Sequence, residues 1–480
     1  MRHLEDILHT RAYMEINNNR NENGFLTLVK SFEAACESAE PKRLIEAEYL
    51  KLSEYYRDNS NYLQAHFVLK ELLTYYPYSS QAHYKKAELL FLEKKMEAAL
   101  EALEMASAYA PNDLDTVLLK ADILNENGKN EEALAILESA PTSNDTDLSD
   151  VLLYKAMIYE RLHNLDEMFE STKLSLLVDP FNEEALEHIW WCVELTGRYE
   201  ESIELHLQLL DKRTYSYLAW YNLGYAYFNV DNYEEAAEAL EYATIINTNF
   251  HDGFLMAGEA YIQIENYSKA LDLYSELLVE GQDKSEIYTK MGICHLNNGQ
   301  AVTAYRHFKK AVRINQKNAM AHYHIGEYYC QIGQLKKAID AYLIAMQLED
   351  KNEVFYAAIA EAFEKQGDLE KALPFYQQAA DIAADIPDYW TLLAVFYMNQ
   401  ENFSEALKVI EESKSCTSGE GLWLCEIVCL FHLNDRIGAE FLLRQFMTIH
   451  HDKAENLFEY GPELYHDFTI RSIITAFNPN

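Results

Sequence analysis

Residues 217–250 read YLAWYNLGYAYFNVDNYEEAAEALEYATIINTNF. Trp220, Leu223, Gly224 and Tyr227 fall at offsets of three, four and seven, which is one face of a helix. Ala236, Leu240 and Ala243 repeat that spacing, with Asp231 and Asn232 marking a turn between the two runs. Two amphipathic helices joined this tightly make an antiparallel hairpin. Gly224 and Ala236 are small where the helices must approach. Trp220, Tyr227 and Leu240 are large and fill the space between neighbours.

The pattern recurs on both sides. Gly224, Gly258, Gly292 and Gly326 are each 34 residues apart, as are Ala236, Ala270, Ala304, Ala338, Ala372 and Ala406. In that frame units start near Glu46, Ser80, Leu114, Ser149, Glu183, Tyr217, His251, Ser285, Ala319, Glu353 and Pro387. Pro77, Pro111 and Pro180 close three of them, and Ala65, Ala99 and Ala133 hold the alanine position early on, with Met168 and Ser202 in two degenerate units. One extra residue around 141–145 shifts the register by one, and a weaker last unit starts near Gly421.

Trp220-x2-Leu223-Gly224-x2-Tyr227 followed by Ala236, Leu240 and Ala243 resembles the tetratricopeptide repeat, and the resemblance covers about residues 46–450. It implies an all-α solenoid, a right-handed superhelix of helix-turn-helix units whose concave wall is lined by the first helix of each. The expected division is a capping hairpin over 1–45, eleven units over 46–420, and a degenerate unit with a C-terminal cap over 421–480. Within the cap at the start, Leu4–Ile16 and Phe25–Ala35 are the two apolar stretches. At the end, Phe458, Tyr460, Tyr465, Phe468 and Phe477 are expected to lie against the last repeat.

Seventy-eight acidic against 40 basic side chains leave a formal charge of −38, which repels nucleic acid and anionic membrane surfaces. No segment has the roughly 18 apolar residues of a membrane span, and the first residues lack the apolar core of a secretory signal. A cytoplasmic location is expected. The 7 cysteines have no zinc-like spacing, and Cys425 and Cys429 read as buried thiols.

In the resemblance, the second, fifth, ninth, twelfth and thirteenth positions of each unit face the groove. Six of eleven ninth positions are carboxylates, namely Glu54, Glu88, Asp122, Glu259, Glu327 and Glu361, and the fifth position supplies Tyr84, Tyr221 and Tyr323. With Tyr225, these mark Tyr84, Tyr221, Tyr225, Glu259, Tyr323, Glu327 and Glu361 as the candidate groove, the last six as one stretch of wall. Carboxylates and tyrosines suit a partner peptide or helix bearing Arg or Lys; the alternative is that these acids merely face solvent. The clamp that some repeats of this type use for acidic peptide termini needs lysines that the fifth and ninth positions lack, with Lys290 alone at a sixth position. One unit reverses the charge: Arg306, Lys309, Lys310 and Arg313 form a stripe at i, i+3, i+4, i+7 on a second helix. It could grip an acidic surface, nucleic acid, or merely meet solvent.

Catalytic readings find no support. No phosphate-binding glycine loop, dinucleotide fingerprint or HExxH run is present, His322 and His324 point to different helix faces, and Glu200-Glu201, Glu234-Glu235 and Glu411-Glu412 sit on solvated faces. The expectation is a scaffold or adaptor that binds protein and needs no catalytic residue, metal or cofactor. An accessory subunit of an enzyme or assembly complex is the alternative, and self-association through the terminal units stays open.

Overall fold

The computed structural model describes residues 25–34, 43–278 and 284–477. The stretch Leu4–Ile16, expected to form half of a capping hairpin, lies outside them. Among the described residues twelve helical hairpins follow one another, from Glu46–Asp58 with Tyr62–Tyr75 to Glu420–His432 with Arg436–Ile449. The chain divides into two compact units, 1–247 and 248–480, each holding six of these hairpins. Inside each unit the second helix of one hairpin lies against the first helix of the next, and many successive first helices also touch.

Local chemistry explains where the helices begin and bend. Ser79, Asp113, Asn182, Ser216 and Asn318 each accept a hydrogen bond from the backbone N–H three residues on, capping a first helix. Each hairpin turn then contains one left-handed residue, a glycine at Gly128, Gly197, Gly299, Gly333 and Gly367. The other seven turns impose the same conformation on a residue with a side chain, such as Lys94 at φ 59° and Glu265 at φ 58°. That conformation costs an L-residue about 1–2 kcal/mol. Glu265 is exposed, so Glu265→Gly is expected to raise stability by about 1 kcal/mol, read as an upward shift of the thermal midpoint.

Packing within a hairpin pairs the eighth and twenty-fourth positions. A Cβ on Gly258, Gly292 or Gly326 would come within 2.4, 2.3 and 2.4 Å of the rings of Tyr274, Phe308 and Tyr342. Elsewhere alanine faces leucine, as Ala87 with Leu103 and Ala121 with Leu137, all four fully or nearly fully buried. The extra residue near 141–145 is absorbed by a short second helix, Asn130–Glu138, and a long first helix, Asp145–Arg161.

The ends are covered. Val29 and Phe32 are buried in the core that includes Tyr49, Leu52 and Leu69. After the last hairpin, short 3-10 turns lead to the helix Phe468–Phe477, and the chain closes over the core through Leu457, Leu464, Ile470 and Ile473. The tail aromatics play a smaller part than expected: Phe458, Tyr460 and Phe477 only flank this core, and Tyr465 and Phe468 are exposed. No described helix is long and apolar enough to cross a membrane. Cys425 and Cys429 are buried thiols, and burial pushes Cys429 up to about 12.

Candidate functional site

The candidate surface is the wall made by the first helices, and the two units are taken separately because the sequence-derived residues divide between them. Tyr84, Tyr221 and Tyr225 belong to the first unit, and Glu259, Tyr323, Glu327 and Glu361 to the second. All seven are half-buried. That is the exposure of a side chain leaning on its own wall with one edge free.

In the first unit, Tyr221 and Tyr225 stack with ring centroids 6.5 Å apart, one helical turn along Tyr217–Asn229. Trp190 and Tyr199 close on Tyr225 at 5.5 and 6.4 Å, and the Tyr225 hydroxyl donates to the Glu194 carboxylate. Burial and Glu194 raise the phenol's pKa, so it remains a donor. Trp191, the ninth residue of its repeat, donates from Nε1 to Glu160 at 2.8 Å. The outcome is an aromatic panel laced by carboxylates of the neighbouring repeat. Trp190 was not anticipated, because it sits at the eighth position, where the other units hold smaller residues.

Tyr84 lies in a different electrostatic setting. Lys85 hangs 5.3 Å over its ring and bridges Glu54 at 3.1 Å and Glu88 at 2.8 Å, while Arg57 reaches Glu88 at 3.0 Å. Two of the expected wall carboxylates are therefore already matched by cations from the same wall. Such half-exposed pairs add little stability, about 0–1 kcal/mol each, but they consume the charge. Lys85 holds the same sixth position as Lys290, so Lys290 is not alone in that role.

Further along the same unit the charges go unmatched. Asp122, Asp150 and Glu184 all have pKa values raised, first by burial and then by one another or by other acids nearby. Asn182 donates to Asp150 at 3.0 Å. Among the described residues no Lys, Arg or His forms an ion pair with Asp115, Asp122, Asp150 or Glu184, although Arg161 exerts a weak pull on Asp122. The Tyr154 hydroxyl stands amid all four, and burial followed by the charges of Asp122, Glu184, Asp150 and Asp115 pushes it up to about 12. Sequence spacing flagged Asp122. It missed Tyr154, at a sixth position, and the second-position acids Asp115, Asp150 and Glu184, because only adjacency of the stacked helices brings them together.

In the second unit, Lys290 Nζ donates to Glu259. Glu327 accepts from the Tyr323 hydroxyl at 3.3 Å and lies 2.6 Å from His324 Nδ1, and Glu361 meets Lys365 at 3.4 Å. The Tyr323 ring leans on Tyr342 and Phe355, each at 5.5 Å. Tyr323, Glu327 and Glu361 do form one neighbourhood, since both carboxylates raise the pKa of Tyr323 after burial. Glu259 stands apart with its lysine. His324 stacks on Phe308 at 5.0 Å while His322 bonds the Gln316 carbonyl at 3.2 Å, so the two histidines do face apart.

Comparison with known proteins agrees with this architecture. Models described as tetratricopeptide repeat match residues 50–113, 90–158, 217–250 and 363–415. The chain is 20% identical over 168 residues to a BBSome complex member of Bos taurus, an alignment covering 35% of this chain and 32% of that protein. It is 24% identical over 138 residues to a TPR repeat-containing protein of Methanocaldococcus jannaschii, covering 28% and 24%. The matched part thus spans 32% or less of either curated relative. Among solved structures, a tetratricopeptide repeat protein from Parabacteroides merdae is 16% identical with a TM-score of 0.45, covering 52% of this chain and 98% of that one.

Proposed function

From the premise that the chain is a tetratricopeptide-repeat array, we propose that it is a non-catalytic scaffold whose first-helix wall holds a basic segment of a partner protein. The observation that carries this reading is the group of carboxylates around Tyr154, of which Asp122 and Asp150 are half-buried and Asp115 and Glu184 exposed. Asp115, Asp122, Asp150 and Glu184 add to one another's negative charge, and among the described residues no Lys, Arg or His forms an ion pair with them; only Arg161, acting on Asp122, offsets any of it. A lysine or arginine from outside would relieve that repulsion and make charge-assisted hydrogen bonds, with Tyr84 and Tyr154 offering ring faces nearby. The Tyr221–Tyr225 panel extends the contact in the same unit. Tyr323, Glu327 and Glu361 provide a second contact in the other, where a partner's arginine would compete with His324 for Glu327.

The test separates binding from folding. Because the raised pKa values of Asp122 and Glu184 mean that folding disfavours their charged forms, neutralising these two acids should leave stability unchanged or improve it. Asp122→Asn with Glu184→Gln is therefore expected to melt no lower than the parent. A labelled 14-residue peptide of alternating Arg/Lys and Leu should lose about tenfold in affinity, the effect of one strong interaction. Parent-like affinity in the double variant, measured by fluorescence anisotropy at low salt, would remove this wall as the binding site.

A further inference from the structure

The second helix Ala301–Ile314 is amphipathic in an unusual sense, because its outer face is cationic in an acidic chain. Arg306, Lys309, Lys310 and Arg313 are all exposed, and Ala304, Phe308 and Ala311 fill the buried side. Several cations on or beside other second helices are neutralised at home: Lys173 and Arg198 by Glu201, Lys371 by Asp368, Lys408 by Glu405. Lys310 is occupied too, its Nζ 4.0 Å over the Tyr288 ring and bonded to the hydroxyl at 2.6 Å. Arg306, Lys309 and Arg313 have no ion pair with any described carboxylate.

Two of these three free cations open onto a concavity. Lys309, Val312, Arg313, Gln316, His322 and Ile344 line a cleft of about 480 Å³. Ile344 is 42% exposed there, and Ile314, which follows Arg313 in the chain, is 49% exposed. Burial, and then Lys309, lower the pKa of His322, so its ring is neutral at pH 7 and the positive charge of the cleft belongs to Lys309 and Arg313.

We propose that this cleft docks an acidic amphipathic segment of a partner protein. Its carboxylates pair with Lys309 and Arg313, and its apolar side chains rest on Val312 and Ile344. Three features favour this occupant. A bare anion would leave the apolar floor unused. The stripe from Arg306 to Arg313 spans seven residue steps, or about 10 Å of helix. That length matches only about three phosphates of a nucleic-acid strand, and the remainder of a long polyanion would run over a chain of net charge −38. A short acidic segment presents charge where the cations are and nothing beyond. Four of the six lining residues belong to second helices, whereas the wall is made by first helices, so one chain would join a basic segment to an acidic one.

The experiment uses the full chain and a fluorescein-labelled helical peptide carrying Glu at i and i+4 with Leu between. Wild type is expected to bind it at low salt and to weaken as salt rises. Lys309→Gln with Arg313→Gln should weaken binding about tenfold or more without lowering the melting temperature. Ile344→Ser should weaken it several-fold at every salt concentration, a response that a purely electrostatic patch would not give. Asp122→Asn should leave it unchanged, which keeps this outcome independent of the wall. Equal binding by the double variant would overturn the proposal. So would equal binding of a peptide with Lys in place of Glu, or a single-stranded oligonucleotide that binds more tightly than the peptide.

Discussion

Phe308→Ala is expected to destabilise the second unit by about 3–5 kcal/mol, the usual result of emptying a buried phenylalanine site. Phe308 is fully buried, with His324 stacked on its ring at 5.0 Å and Gly292 packed close against the same ring. The converse change makes the case sharper. Gly292→Ala gains about 1 kcal/mol of helix propensity, yet its new Cβ would sit 2.3 Å from the Phe308 ring. Overpacking of this kind costs about 1–3 kcal/mol, so the net effect is a loss. Combining Gly292→Ala with Phe308→Leu recreates the pairing that Ala87 makes with Leu103, so the double variant should be more stable than the two single losses added together. Tyrosine can tolerate alanine opposite it, as Tyr376 does with Ala360, but its hydroxyl is held by Glu364 at 2.6 Å and Phe308 has no such tether. Urea unfolding with hydrogen exchange across 284–331 reads each effect. A fully additive double variant would show that the two positions do not share a packing site.

That pairing also explains why the fold was legible from one chain. A 34-residue interval in glycine and alanine is visible because each marks a helix crossing where volume is limited, and the same crossing recurs in every hairpin. The turns are legible for a related reason, since one residue per turn is left-handed and glycine takes five of those places. Degenerate units hide where the volume rule is inverted: Trp190 stands at the small position of the fifth hairpin and His206 at its partner position, so spacing alone found no glycine or leucine there.

The candidate site was legible only in outline. Spacing put Tyr221 and Tyr225 on one face, and they do stack. It could not tell a matched carboxylate from an unmatched one, because the matching cation comes from the neighbouring repeat, as Lys85 does for Glu54 and Lys290 for Glu259. Charge matching of this type depends on side chains 31 residues apart, at a distance set by how far each hairpin rotates on the last. For the same reason the uncompensated acids around Tyr154 emerge only in three dimensions.

His206 gives the second large effect, a loss of stability on mild acidification. It is fully buried in Tyr199–Lys212, with Nδ1 2.7 Å from the Ser202 carbonyl and Nε2 without a partner. Burial lowers its pKa to about 4, against a small upward pull from that carbonyl. In the unfolded chain the ring titrates near 6.5. Between those values the unfolded state binds one proton more than the folded state, so stability is intact above about pH 6.5 and falls as pH drops toward 4. At 1.36 kcal/mol per unit, about 2 kcal/mol is lost by pH 5 and about 3 by pH 4. His188, whose pKa is also lowered by burial, acts with the same sign. The raised carboxylates Asp122, Asp150 and Glu184 act with the opposite sign, because protonating them relieves repulsion in the folded state. The diagnostic variant is His206→Leu, since leucine holds the equivalent position at Leu69, Leu103, Leu137 and Leu240. It should fold about as stably as the parent at pH 7 and lose about one proton's worth of slope between pH 6.5 and 5 in urea titrations. A slope unchanged by the substitution would mean that His206 is not the group whose protonation loosens the first unit, and attention would pass to His188, whose Nδ1 lies 2.9 Å from the Thr172 hydroxyl and whose Nε2 lies 3.6 Å from the Glu160 carboxylate.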